Sequence, residues 1–578
     1  MTIPLIRVRM KTPKVRRECA GYEANISLLK DRPCGRLLPA NSFASPESLG
    51  SPKTCLTALP VHLEATQRQA LQYFVTRAAR QLFGHYSADL YEKLLFQVLN
   101  QQEVVLHACL AVSFMHRAHT LRRPKAGGAS PCELVGVVPH ERQALQHYVH
   151  AVSSLRILIN HSNYRLDTST VHIVLLVCLL CVHFSLLRGS ETEAFTHLEK
   201  GLAVIFGLSR PYAPTSGKRF RPLTLSTTPT KTLELLLQEF VRLDGEFAAY
   251  ATREPYLCPE LDPDYFGDMG PARMRFRTLA EASIVLDTIS NSVARHHGAL
   301  LRYTTSHVDG LGTGFEDEAH RDAYIRASSR SVKHAMLTHA QERTSKALSA
   351  WSSALEALTY DGTGRLEYMK LRLQFFNTWF LNSTYNDSSE EVTDIFETTF
   401  DEVVHLAERY LLAHGKIGDE AVLFDPSPAA IPALFIVGMK CRSSSVRRKA
   451  ITLLRNTTLQ EGLWHGPPLA AFAEQVAEIE ELRARRLNPL LSGLGTGTNE
   501  LRCCDVPKGA RYSDVVYVLD DGVADQQGGR LVCARIDRDR DYEDGGDGGN
   551  GEGVIVEQYH PNMSQKGIRT RGGRISCQ

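Results

Sequence analysis

The chain has 578 residues, 43% hydrophobic and 22% charged, with a net charge of +2. That is the composition of an ordinary globular protein long enough for a large core or several domains. It excludes a global attraction to nucleic acid or to an acidic membrane, and an odd, scattered set of thirteen cysteines argues against a disulfide framework.

The charge is nevertheless uneven. Arg7, Arg9, Lys11, Lys14, Arg16 and Arg17 all precede the first acidic residue, Glu18. Such an arm suits phosphate contact or nuclear import, and equally suits a solvated tail. No long apolar stretch follows these charges, so no secretory leader is expected. Cys577 stands next to last, which does not fit a prenylation box. The expectation is an intracellular protein that makes no membrane contact.

Ala40 to Pro60 is rich in Ser, Pro and small residues and reads as a linker. Helices then follow one another. Leu63, Leu71, Phe74, Ala78 and Leu82 form a stripe at helical spacing, and Ser87 caps a segment with Leu90, Leu94, Leu95 and Val98 inward. Val104 to Met115 is apolar nearly all round. Leu121 to Pro139, with its Pro and Gly breaks, reads as a loop, and Ala144, Tyr148, Ala151, Leu155 and Leu158 resume the helical pattern.

Val171 to Leu187, VHIVLLVCLLCVHFSLL, is the most apolar segment. It is slightly short for a membrane span, which needs about 20 apolar residues, and His172, His183 and Ser185 would sit in lipid. A helix apolar on every face must then be enclosed by protein. Arg188 and Gly189 supply its stop, and Ser190 with Glu193 forms a capping box for a second helix carrying Ala194, Leu198, Leu202, Ile205 and Phe206. The centre is therefore a helical hairpin with one member fully buried.

Ser209 to Lys231 reads as a loop. Leu233 to Ala251 is helical, with Leu236, Phe240, Leu243 and Phe247 on one face. Further helices are expected at Leu279 to Val293, His320 to Leu358 (one long or two abutting), Leu366 to Leu381, Ser389 to Ala413, Ala429 to Cys441, Ser445 to Asn456 and Leu469 to Arg485. No fixed period links them, so no solenoid is expected. After Gly493 the character changes: Val515 to Leu519, Leu531 to Ile536 and Val554 to Tyr559 are β-prone and fit a small meander. Between them, Asp537, Asp539 and Asp541 imitate a calcium loop, but Tyr542 takes the place of its turn glycine, and a disordered acidic Gly-rich loop is the better reading.

Enzyme signatures do not assemble. The runs Gly310, Gly312, Gly314 and Gly493, Gly495, Gly497 follow no strand and open no helix. Cys178 and Cys181 lie inside the most apolar helix, which favours inert core thiols. His296 and His297 are adjacent and point to different sides of a helix. An all-helical isoprenoid enzyme would need clustered Asp on facing helices. Asp520–Asp521 lies beside a strand, and Asp262 to Asp268 is broken by Pro263. No catalytic residue is assigned.

The opening segment ends Arg16-Arg17-Glu18-Cys19-Ala20-Gly21-Tyr22-Glu23. This resembles the end of the fungal binuclear zinc-cluster domain, where the sixth cysteine is followed by x-Gly-Tyr. The likeness continues through Leu71-Gln72-Tyr73-Phe74, His107 to Ser113, Ala144 to Tyr148, Leu186 to Gly189 and His197 to Leu202. It resumes at Lys440-Cys441-Arg442, Arg447 to Leu454 and Glu461-Gly462-Leu463-Trp464. The order is similar to that of fungal-specific transcription factors. The resemblance implies a nuclear regulator of RNA polymerase II transcription, with DNA as partner in the family, two zinc ions on six thiolates, and dimers with itself or other regulators.

Only Cys19 matches a family zinc ligand, and one thiolate cannot hold a binuclear cluster. The expectation is thus a zinc cluster truncated here, no cofactor and no metal site, and weak sequence-blind phosphate contact through Arg7, Arg9, Lys11, Lys14, Arg16 and Arg17. In fold class the chain reads as all-α, a large multi-helix regulatory domain around a buried helical hairpin with a small C-terminal β meander. The divisions are 1–22 cluster remnant, 23–60 linker, 61–490 helical domain and 491–578 tail. A scaffold that dimerises with intact relatives is the alternative, ahead of an all-α enzyme. In the bland reading Arg188 and His197 pair within the hairpin, and Asp244 and Glu246 form a solvated face.

Overall fold

A computed structural model describes residues 63–82, 102–122, 131–161, 167–208, 223–226, 231–251, 253–257, 259–261, 274–305, 319–358, 364–384, 390–414, 423–488, 501–512 and the four strands between 514 and 576. The basic arm, Cys19, the linker, the segment capped by Ser87 and the acidic Gly-rich loop lie outside the described residues.

The protein is all-α. Helix α1 (Ala65–Tyr73) runs through a π-turn (Phe74–Ala78) into α2 (Ala79–Leu82). Then come α3 (Glu103–Leu121), α4 (Pro131–His161), α5 (Thr168–Arg188) and α6 (Glu191–Leu208). The chain continues through α7 (Thr232–Ala251), α8 (Leu279–Thr305), α9 (Ala319–Glu356), α10 (Arg365–Thr384) and α11 (Glu397–His414) to α12 (Ala430–Lys440), α13 (Ser444–Asn456) and α14 (Gly466–Leu487). The stretch read as one long helix or two is a single helix, α9.

The first core is organised around α5. Asp167 caps its start by accepting from the Thr170 backbone N–H. Gly189 takes φ 78° at its end, where the Gly189 N–H donates to Leu186 O and the Ser190 N–H to Ser185 O. This is the left-handed stop that a residue without Cβ permits. Every residue of α5 from Ile173 to Leu187 is buried. By length and composition this helix is apolar enough to cross a membrane, yet α3, α6 and α7 pack around it. Leu63, Leu71, Phe74, Ala78 and Leu82 all enter this core, as do α3 and the inner face of α6. Gly201 of α6 is needed for its neighbour: a Cβ there would meet the Phe240 ring at 2.2 Å. Arg188 binds both carboxylate oxygens of Glu193 at 2.9 Å, so Glu193 closes onto the preceding helix rather than reaching back as a capping box.

Two expectations change. Residues 131–139 are helical, not loop, and Pro139 lies inside α4. Val137, Ala144 and Ala151 are buried at seven-residue spacing, and that packing outweighs the one backbone bond Pro139 removes. Ser443, not Ser445, stands at the N-cap of α13, and Ser444 is tied instead to Leu501 through its N–H and its Oγ.

A second core forms around Trp351, whose Nε1 donates to Ala282 O at 2.8 Å, and joins α8, α9 and α10. A third surrounds α12, whose eleven residues are all buried. It contains a buried ionic network. Arg442 reaches Glu390 at 3.0 Å and Glu480 at 2.9 Å, Arg447 reaches the other oxygen of Glu480 at 2.8 Å, and Lys440 reaches Glu390 at 2.8 Å. The Tyr512 N–H also donates to Glu480. Two guanidiniums hold the Glu480 carboxyl down at about 2, against the desolvation that opposes ionisation.

Short strands stitch these layers. β1 (Leu223–Leu225) pairs in parallel with β2 (Pro259–Leu261), and β3 (Phe424–Asp425) pairs with β4 (Gln460–Glu461), which turns back onto β5 (Trp464–His465). The tail is an antiparallel meander of β6 (Asp514–Leu519), β7 (Gly529–Asp537), β8 (Gly553–Tyr559) and β9 (Gly573–Ser576). The three expected strands are present, in registers such as Val516 opposite Val532, and β9 adds a fourth.

Candidate regulatory site

Where the three cores meet, a polar seam replaces apolar contact. Its centre is Arg242 on α7. Its guanidinium donates to Glu239 at 2.7 Å, to Glu246 at 2.9 Å and to Ser427 Oγ at 2.9 Å. The spacing explains the geometry: residues three before and four after Arg242 flank it on one helical face. Beside it, Lys370 of α10 binds both oxygens of Asp425, at 2.8 and 2.7 Å. Asp425 also accepts from the Ser427 N–H, and Tyr410 and His414 of α11 approach it at 3.4 and 3.6 Å.

The electrostatics of the seam are unbalanced. Desolvation raises Glu246 to about 8, with Asp287 of α8 adding repulsion and Arg242 opposing it. Asp287 rises to about 7, again chiefly by desolvation. Asp425 moves the other way, because Lys370 and His414 outweigh its desolvation. The seam thus combines carboxyls poised to hold a proton near neutrality with one firmly ionised carboxylate.

The motif Glu461-Gly462-Leu463-Trp464 sits at the edge of this seam. Glu461 accepts from the backbone N–H groups of Ala429, Ala430 and Ile431, closing the start of α12. Gln460 donates to Leu186 O and so ties the third core to the end of α5. Asp244 is not solvated: it is fully buried, accepts from the Leu257 N–H at 2.7 Å and pairs with Arg253. Glu246 likewise faces Arg242 rather than open water. His197 pairs outside the hairpin instead, its Nε2 lying 2.6 Å from Tyr148 Oη on α4. Cys178 and Cys181 are buried free thiols, and burial pushes Cys178 up to about 12, which makes both poor nucleophiles.

The six basic residues proposed for phosphate contact, and Cys19, lie outside the described residues. The seam residues escaped sequence reading because Glu239, Arg242 and Glu246 look like an ordinary charged helix face. The available signal was that Leu236, Phe240, Val241, Leu243, Phe247 and Ala248 leave α7 almost no face for water.

Residues 69–245 match the family described as fungal specific transcription factor domain. This interval runs from α1 to the Arg242 turn of α7 and encloses the whole central hairpin, so the class of protein it suggests is a transcription regulator. The pieces from Lys440 to Trp464 fall beyond it. No curated protein and no solved structure matches the chain.

Proposed function

We propose that this chain is a regulator of RNA polymerase II transcription of the fungal zinc-cluster type, acting in the nucleus and not as an enzyme. The observation that carries this is the family match over residues 69–245, which falls on the buried hairpin and ends at the polar seam. In this reading residues 61–490 are the regulatory body, 23–60 a linker, 491–578 a tail, and the seam is where an effector or a proton changes how the cores are held. Arg7, Arg9, Lys11, Lys14, Arg16 and Arg17 give salt-sensitive, sequence-blind phosphate contact, and no cofactor takes part. Operator choice rests with a dimer partner.

One structural feature favours the partnered form. On α4, Val138, Val149 and Ile157 are exposed large apolar residues, and a shallow groove runs between Val138, Leu145 and Val149 with Glu141, Arg142 and Gln146 on its sides. A helix of a second copy or of a related regulator would cover this stripe.

The test is to tether the full chain to a bacterial operator-binding domain upstream of a reporter gene. Reporter transcription is expected to rise or fall several-fold. Output equal to that of the tether alone would contradict the regulatory reading.

A further inference from the structure

Helices α3 and α4 pack against each other in opposite directions and bring one carboxylate and three imidazoles together. Glu103 and His107 stand one turn apart on α3, and His147 and His150 share one side of α4. Glu103 Oε1 lies 3.7 Å from His107 Nε2 and 3.7 Å from His150 Nε2. The three donor atoms lie within 4.8 Å of one another. A tetrahedral ion bonded at 2.0–2.1 Å separates its donors by about 3.3 Å, so the carboxylate is within a few tenths of an ångström of that spacing from each ring.

The other ring nitrogens are already engaged. His107 Nδ1 is 2.8 Å from His147 Nδ1, and His150 Nδ1 is 3.4 Å from Ser154 Oγ. When His107 Nδ1 donates to His147 Nδ1 and His150 Nδ1 donates to Ser154 Oγ, the Nε2 lone pairs of His107 and His150 are free to face an ion beside Glu103. This is how outer partners orient metal-binding histidines. His147 is itself held flat against Phe114, at 5.7 Å and 1° between the rings. The His107 and His150 rings stack at 3.8 Å, so sharing an ion requires His150 to turn out of the stack. Its side chain is about half exposed and has room to do so. His107 is largely buried and Glu103 is open to solvent.

We propose that Glu103, His107 and His150 form an exchangeable site for a divalent transition ion, zinc by its donor set, with His147 as the positioning residue for His107. The site goes beyond the regulatory reading and revises the expectation of a chain without a metal site. The ion links α3 to α4 across the wall of the first core, so its binding couples free zinc to the stability of the matched segment.

The full chain, stripped with a chelator, is titrated with Co²⁺ and then Zn²⁺. Visible bands of nitrogen- and oxygen-bound cobalt report this site, and intense near-ultraviolet thiolate bands report the cysteines instead. One ion per chain with the first signature is expected. Affinity should fall at least about tenfold in His107→Ala, in His150→Ala and in Glu103→Gln, and about 10- to 100-fold in His147→Phe. Circular dichroism confirms that each variant keeps its helices, and zinc should raise the melting temperature of the parent alone. Thiolate bands only, or affinity unchanged in the folded His107→Ala/His150→Ala double variant, would overturn the site. Neither result bears on the tethered reporter.

Discussion

The core around α5 and the core around α12 solve the same problem by different means. Around α5, enclosure is achieved mainly by apolar surface: from Ile173 to Leu187 no residue carries a formal charge, and the few polar side chains are short or aromatic. Around α12 the helix is equally enclosed, but Arg442, Arg447, Glu480, Glu390 and Lys440 are buried beside it. Hydrophobic contact tolerates small shifts and loses stability in proportion to the atoms removed. A buried ionic network has no such tolerance, because removing one member strands the rest without water. The first region is therefore suited to absorb change and the third to resist it.

The sharpest way to break this comparison is Glu480→Ala. It leaves Arg442 and Arg447 without their shared carboxylate, and a loss of about 3–5 kcal/mol is expected in denaturant unfolding. A loss below about 1 kcal/mol would show that water or rearrangement replaces the network. In the first core, Leu179→Ala removes a fully buried side chain and is expected to cost about 2–5 kcal/mol, with the spread set by how far the helices around α5 can close the gap. Loss of the two-state transition in Leu179→Ala but not in Glu480→Ala would reverse the assignment of tolerant and intolerant regions.

The smallest effect concerns acid. His183 is fully buried, and desolvation lowers it to about 3. His116, lowered by desolvation to about 3, accepts from Tyr73 and donates to Gln81, a pattern that needs the neutral ring. His197 falls to about 4 for the same reason. Each folded value lies below the unfolded one of 6.5. The unfolded chain therefore takes up protons first, and the stability these rings contribute is lost as pH falls from 6.5 toward 3. Glu480, at about 2 against 4.5, loses its contribution only below 4.5. Incubation at pH 5.5 followed by hydrogen exchange at a fixed labelling pH should show α3 and α5 opening more than at pH 7, with α13 unchanged. Equal opening in both regions would remove the distinction.

Much of the first region was legible from residues alone. An uninterrupted apolar run, a basic residue and Gly189 dictate a buried helix and its stop, and the stripe from Leu63 to Leu82 dictates the helix that covers it. Most helix positions follow from the same periodicity, and so do the β-prone tail segments. The third core was less legible, since Arg442, Arg447 and Glu480 carry the pattern of surface residues and only pairing across 33 to 52 residues of sequence buries them. The seam and the histidine cluster failed for the same reason. Glu103 and His107 show their one-turn spacing plainly, but their approach to His150 depends on how α3 and α4 pack.

The most direct test of the regulatory account is chromatin occupancy of the tagged full chain in the cell that makes it, together with transcript levels after its deletion. The account predicts enrichment at a limited set of promoters and altered transcription of those genes. A chain that stays out of the nucleus, with those transcripts unchanged on deletion, would contradict it.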